Sequence, residues 1–157
     1  MILGGDARAL KALDNPALID YVRTAAEAAQ IVGAIDSGVL VLAAAGCLTG
    51  KQATTHWTLG AMLEKFGAHF NRQPWVEDGK FITAAGISGA MDMSLHLLAK
   101  MKSRRDARFM QTMAEYDPAP PFGNIDWSQV NQADAQQLRW NHAETFYATS
   151  HPVRGSQ

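Results

Sequence analysis

A carboxylate, a hydroxyl and a glycine stand together at Asp36-Ser37-Gly38, between the apolar run from Ile31 to Ile35 and the apolar stretch from Val39 to Ala45. Strand, one tight polar turn, helix is the layout that lifts a nucleophile above an α/β sheet. Two further groups converge on the same end of such a sheet, where ligands of open α/β folds bind. Gly4-Gly5 closes an earlier strand and can bring backbone N–H groups close to a ligand. Thr54-Thr55-His56 ends a following strand and offers an imidazole. A helix starting near Ser37 adds its first N–H groups and the positive end of its dipole, an anion-favouring spot of the oxyanion-hole kind. The candidate catalytic residues are therefore Asp36, Ser37 and His56, and the candidate oxyanion or substrate-binding residues are Gly4, Gly5, Ser37 and Gly38. A carboxylate is a weak nucleophile, yet it serves in covalent catalysis when held beside such donors. It can equally act as a general base on water, with His56 as proton partner. Either route gives hydration or hydrolysis of a small neutral substrate. Plainer roles compete with these: an Asp before a helix is commonly an N-cap, worth about 1 kcal/mol, and a histidine after two threonines is commonly structural.

The elements that must position these groups follow from pattern. Met1-Ile2-Leu3 before Gly4-Gly5 reads as the end of a strand. Asn15-Pro16 is helix-start chemistry, and Leu18, Ile19, Val22 and Ala26 repeat at helical spacing behind it. "IVGAI" is a short continuous apolar run, a buried strand. Ser37 to Gly46 is a helix, "KQATTHW" a second short parallel strand with a polar mouth, and "TLGAMLEKFG" a helix closed by Gly67. "WVEDGKFIT" is a hairpin around Asp78-Gly79. "ISGAMDMSLHLLAKM" returns to helical period, with Ile87, Met91, Leu95 and Leu98 on one face and Met91, Met93 and Met101 as core filling. The prolines of "YDPAPPFGN" demand an extended surface segment. A last helix is expected from about Trp127 to Tyr147, docking through Trp127, Leu138 and Trp140, with a polar tail from Ser150. Alternating strands and helices with a late hairpin give an α/β sandwich on a mostly parallel sheet. Only about three core strands precede the hairpin and the first opens at Met1, so the sheet is expected to be N-terminally incomplete, or completed by a partner chain or a second copy.

Composition narrows the function. The chain has 157 residues, 47% of them hydrophobic and 18% charged, and a formal net charge of −1. That suits one domain with a real core and argues against a nucleic-acid or membrane-surface role, which needs a basic patch. The one basic cluster, Lys100, Lys102, Arg104, Arg105 and Arg108, reads as a solvated helix face. Cys47 is the single cysteine, which excludes an internal disulfide and a thiolate metal site. Among small apolar neighbours it reads as a buried, inert thiol. His69, His96, His142 and His151 show no metal-ligand spacing, so no metal and no cofactor are expected. With no membrane-length apolar run and no signal-peptide pattern, the cytoplasm is the expected compartment.

"GVLVLAAAGCLTGKQATTHW", "DGKFITAAGISGAMDMSLHLL" and "YDPAPPF" resemble, in order and spacing, the ThiJ/PfpI superfamily of class I glutamine amidotransferase-like proteins, and its isonitrile hydratase branch in particular. The resemblance runs from Met1 to about Phe122. It implies a three-layer, flavodoxin-like α/β sandwich over residues 1–122, with 123–149 as a C-terminal docking helix of the same domain and 150–157 as a mobile tail. Related segments also serve as ligand-sensing domains of AraC-type regulators, an option that the lack of a helix-turn-helix extension disfavours. By the matching motif, Asp36 stands where the family holds its cysteine nucleophile and Ser37 where isonitrile hydratases keep a hydroxyl. Gly5, with Gly4, matches the backbone N–H facing the nucleophile, and His56 matches the histidine beside it. Three departures follow. The cysteine is absent, and Cys47, about three helical turns away, cannot replace it. The family's first strands, with their acidic residue, have no counterpart ahead of Met1, and Pro74 sits near where relatives often carry an arginine. Two readings stand: a hydro-lyase of the isonitrile hydratase type with Asp36 replacing the cysteine, and a catalytically silent binding or scaffold domain.

Overall fold

The computed structural model describes residues 1–5, 10–131 and 133. Asn15 caps the first long helix, α1 (Pro16–Ala28), by accepting a hydrogen bond from the Leu18 N–H at 3.2 Å, and Pro16 occupies its first position. Ile19, Val22 and Ala26 form its buried stripe. The chain then enters β1 (Val32–Ile35), turns at Asp36-Ser37 and continues as α2 (Gly38–Ala44). Every residue of α2 from Gly38 to Ala43 is buried. A helix that is apolar all round needs cover all round, and α1, β1 and the later helix α3 (Gly60–Lys65) supply it.

Two sheets result. In the first, β5 (Phe81–Ala84) is the centre, pairing in parallel with β1 and antiparallel with β4 (Trp75–Asp78). Ile2 adds a single parallel bridge to Ala34 on the far side of β1, which is all that forms of the expected first strand. The hairpin closes through Gly79 and Lys80, with Gly79 at φ 65°. The mixed α/β sandwich thus matches expectation, but the strand at "KQATTHW" is corrected. β2 is only Gln52–Ala53, and it pairs in parallel with a strand that pattern missed, β3 (His69–Phe70), in a second two-stranded sheet. Side chains join the sheets instead of a ladder: the Gln52 N–H donates to Asp78 Oδ2 at 2.9 Å and the Thr54 N–H to Thr83 Oγ1 at 2.9 Å.

Helix α4 (Ile87–Met101) is also corrected. Its buried residues are Gly89 and Met93, with Ala90 and Leu97 packed beside them, whereas Ile87 is 90% exposed and Met91 and Met101 are exposed too. Apolar residues lie all round this helix, so period alone cannot set its phase. Gly89 sets it, because a Cβ there would meet the Pro74 carbonyl oxygen at 2.0 Å. On the same flank His96 stacks on Trp75 at 4.4 Å and its Nε2 lies 2.8 Å from Glu77, which also pairs with Lys100. Lys100, and after it His96, hold the Glu77 carboxyl below the usual value against partial burial. The pair therefore stabilises at neutral pH, and that modest contribution is lost as pH falls through the lowered value.

The basic cluster does lie on a solvated face: Arg104, Arg105 and Arg108 are exposed on α5 (Arg104–Met113), capped by Ser103. "YDPAPPFGN" is irregular and exposed apart from Tyr116, as its prolines require. The helix expected from Trp127 does not begin there. Trp127 and Ser128 form a turn in which Asp126 Oδ1 accepts from the Ser128 N–H at 3.0 Å. Leu138, Trp140 and the expected tail lie outside the described residues. Gly89→Ala should cost about 1–3 kcal/mol as the added methyl forces α4 off the sheet, measured by urea unfolding against wild type.

Candidate functional site

Asp36 leaves the end of β1 with φ 54°, in the left-handed region. Side chains rarely adopt it, and among non-glycine residues Asp and Asn do so most readily because their short polar groups bond locally. Three bonds to its backbone hold it there. Its N–H donates to the Ala84 carbonyl at 2.9 Å, and its carbonyl accepts from the Val39 N–H at 3.2 Å and the Thr55 hydroxyl at 2.7 Å. A strained conformation fixed by surrounding structure is a mark of functional sites. Ser37 takes the N-cap position of α2, and its side chain makes no capping bond to the helix.

The glycine pair lies over this turn. A Cβ on Gly4 would stand 2.6 Å from the Asp36 Cβ and 2.8 Å from the Ile35 carbonyl oxygen. Likewise a Cβ on Gly38 would stand 2.7 Å from the Leu3 carbonyl oxygen. Only glycine permits both approaches. Ser37, buried, clasps the crossing: its Oγ accepts from the Gly5 N–H at 3.0 Å and donates to the Gly5 carbonyl at 3.1 Å. The Gly5 N–H expected to face a reacting oxygen is thus engaged by Ser37. At the head of α2, the Val39 N–H is taken by the Asp36 carbonyl at 3.2 Å and the Leu40 N–H by the Ser37 carbonyl at 3.1 Å.

His56 follows Thr55, so the imidazole is one residue from the bond to the Asp36 carbonyl. Its Nδ1 lies 2.8 Å from Thr58 Oγ1 and accepts from the Thr58 N–H at 3.4 Å. That assignment leaves the proton of the neutral ring on Nε2. Its ring centroid lies 5.8 Å from that of Trp57. Asp36, Ser37, Gly4, Gly5 and Gly38 are brought into one contact set, and His56 is tied to it through Thr55. Thr55 is the residue whose role pattern missed. Two successive fully buried threonines at a strand end are a readable signal, because buried hydroxyls need partners.

Cys47 is corrected. It is half-buried, not buried, and lies at the opposite end of α2 from Asp36. There it lines a cleft of ≈ 390 Å³ with Arg23, Glu27, Lys80 and Phe81. Burial pushes its thiol up, against the opposing pull of Arg23 and Lys80, which keeps it a poor nucleophile. Among the described residues no three His, Cys, Asp or Glu side chains are grouped to hold a metal, and no helix is long and apolar enough to cross a membrane.

A mixed sheet flanked by helices, with the turn after β1 covered by a glycine pair, defines an α/β protein. The chain belongs to the DJ-1/PfpI family, whose sequence model matches residues 1–100. It is similar to the isonitrile hydratase of Pseudomonas putida, 37% identical over 110 residues that make up 70% of this chain and 48% of the relative. It is also similar to the HTH-type transcriptional regulator CdhR of Pseudomonas aeruginosa, 38% identical over 88 residues, 55% of this chain and 26% of that protein. Among solved structures, a ThiJ/PfpI family protein from Pseudomonas syringae superposes with a TM-score of 0.79 at 28% identity, covering 92% of this chain and 62% of the other. Schizosaccharomyces pombe DJ-1 gives 0.57 at 27% identity over 70% of this chain and 57% of its own. The chain therefore spans about half the length of the hydratase it matches.

The strain at Asp36 has a direct readout. Asp36→Gly and Asp36→Ala both remove the carboxylate, but only alanine keeps the left-handed cost, so the glycine variant should be the more stable by about 1 kcal/mol. Urea unfolding of the two variants measures the difference.

Proposed function

We propose that the chain hydrates or hydrolyses a small neutral molecule of the isonitrile type, with Asp36 as the group on which the chemistry depends. One observation carries this reading: a carboxylate-bearing residue is held at φ 54° by three backbone bonds at the carboxyl end of β1. The isonitrile hydratase relative supports the substrate class. In the proposed step Asp36 accepts a proton from water as the water oxygen bonds to the terminal carbon of R–N≡C. That carbon then takes up the proton that Asp36 gained, which restores the carboxylate. Tautomerisation then moves the hydroxyl proton to nitrogen and yields R–NH–CHO, so one water is consumed per isonitrile and no cofactor is needed.

A second reading has its own support. The Gly5 N–H is already bonded to Ser37, and CdhR is a regulator, which fits a silent ligand-binding domain. Hydration of a simple alkyl isonitrile by wild type, Asp36→Asn and Asp36→Cys distinguishes the two, with melting temperatures alongside. The catalytic reading expects Asp36→Asn to lose at least ~10²-fold in rate while staying folded. Activity gained only in Asp36→Cys would establish the silent reading, and equal turnover by wild type and Asp36→Asn would leave Asp36 a structural residue.

We further propose that the chain works as a homodimer or with a partner chain that completes the sheet. Met1 and Leu3, beside β1, and Ile87, Met101, Phe109 and Met113 are all exposed apolar side chains, the kind of surface that association would cover. Light scattering should give a mass well above the 17.0 kDa of one chain. A stable particle of that mass would refute association.

A further inference from the structure

The carboxyl ends of α1 and α2 meet around the cleft that Cys47 lines. The last carbonyls of a helix have no partner within it, and they make that end of the helix negative. Two cations answer them here. The Lys80 ammonium donates to the Ala26 and Glu27 carbonyls, at 2.5 and 3.0 Å. Arg23 Nε donates to the Ala45 carbonyl at 3.0 Å. Three stretches of chain therefore converge on one opening: the end of α1, the end of α2 and the turn of the β4–β5 hairpin.

These bonds fix both charged groups in the cleft wall and leave them further donors. An ammonium has three N–H groups and a guanidinium five. The carbonyls take two on Lys80, and Ala45 with Asp20 takes two on Arg23. Glu27 is the single acidic residue of the lining among the described residues, so one positive charge is in excess. All three charges are close enough to act on the Cys47 thiol. The helix-end carbonyls that would attract a metal or an amine are already taken by the protein's own cations. What remains to be balanced is positive. Ala26, Ala45 and Phe81 make the rest of the wall apolar, and ≈ 390 Å³ falls within the ~300–1,000 Å³ of small-molecule sites. A bare inorganic ion would leave that apolar wall wet.

We propose that this cleft is a second binding site, for a small organic monoanion: a carboxylate on a compact apolar body. Arg23 and Lys80 hold the carboxylate, whose two oxygens suit the guanidinium fork. Ala26, Ala45 and Phe81 cover the apolar body. Glu27 sets the charge limit, since it opposes a second negative group. The site is separate from the elbow, because α2 (Gly38–Ala44) lies between them, ~10 Å of helix at 1.5 Å per residue. It is therefore independent of the reading of Asp36 and stands or falls by binding alone.

Cys47, the single cysteine, serves as the reporter. Its alkylation by neutral iodoacetamide is followed by mass spectrometry with benzoate, its uncharged analogue benzamide, or inorganic phosphate present, and calorimetry measures benzoate binding directly. Saturating benzoate should slow alkylation by about fivefold or more, because the thiol becomes inaccessible, while benzamide and phosphate should leave it unchanged. Lys80→Gln and Arg23→Gln keep N–H donors for the helix carbonyls but remove the charge, and each should weaken benzoate binding about tenfold. Glu27→Gln, on an exposed residue whose loss threatens no fold, should tighten it about threefold. Arg104→Gln, on the solvated face of α5, should change nothing. Protection by benzamide equal to that by benzoate would overturn the anion site, and protection by phosphate equal to that by benzoate would overturn the organic ligand. No benzoate binding at millimolar concentration, or a Glu27→Gln variant that binds no better than wild type, would overturn the proposal as well.

Discussion

The turn at Asp36 keeps its shape because another stretch of chain lies directly on it. Leu3, Gly4 and Gly5 cross the β1–α2 junction at a distance that leaves no space for a Cβ at Gly4 or Gly38. Ser37 secures the crossing with a reciprocal pair of hydrogen bonds to Gly5. Remove the approach and the left-handed residue loses its cover, the buried serine loses both partners, and the head of α2 opens. The cost of holding Asp36 in a conformation most side chains avoid is met by these contacts and by Ala84, Val39 and Thr55. The residue is thus set by tertiary structure, not by its own preference.

A polar thread ties that junction to the second sheet. Thr55 bonds the Asp36 carbonyl, Thr54 receives its N–H partner from Thr83 on the central strand, and the Thr54 hydroxyl donates to the Gln73 carbonyl at 3.0 Å. These threonines are buried and fully partnered. Buried hydroxyl networks are costly when half satisfied and rigid when complete. The complete one here fixes the chain that carries His56 and Trp57 relative to the elbow, though β2 and β5 share no ladder.

What the sequence revealed is what local chemistry determines. Asn15-Pro16 marks a helix start because the cap and the fixed proline φ act within one turn. Asp78-Gly79 marks a hairpin, and Asp36-Ser37-Gly38 a strand-to-helix junction, for similar reasons. The face of α4 was illegible because Ile87, Met91, Met93, Leu97 and Met101 offer apolar groups in several directions, and a long-range contact between Gly89 and Pro74 chooses among them. β3 is two residues long and has no period to read. The engagement of Gly5 by Ser37 spans 32 residues, and the meeting of Trp57 with Trp127 spans still more. Neither distance leaves a mark in the local pattern. Cys47 looked buried from its small neighbours, but those same small side chains open a cleft beside it.

Among the described residues, the strand at the centre of the main sheet is the last one in the sequence. Val32 of β1 pairs with Phe81 of β5, 81 − 32 = 49 residues later, and the Lys80 ammonium beside it reaches back to the carbonyls of Ala26 and Glu27 at the end of α1. On a ribosome adding about 5–20 residues per second, the β1 segment waits several seconds for its neighbour. Throughout that wait β1 has emerged without the strand that pairs with its whole length. The hairpin therefore gives β1 its neighbour, and the elbow at Asp36, whose N–H donates to the Ala84 carbonyl, acquires its form only then.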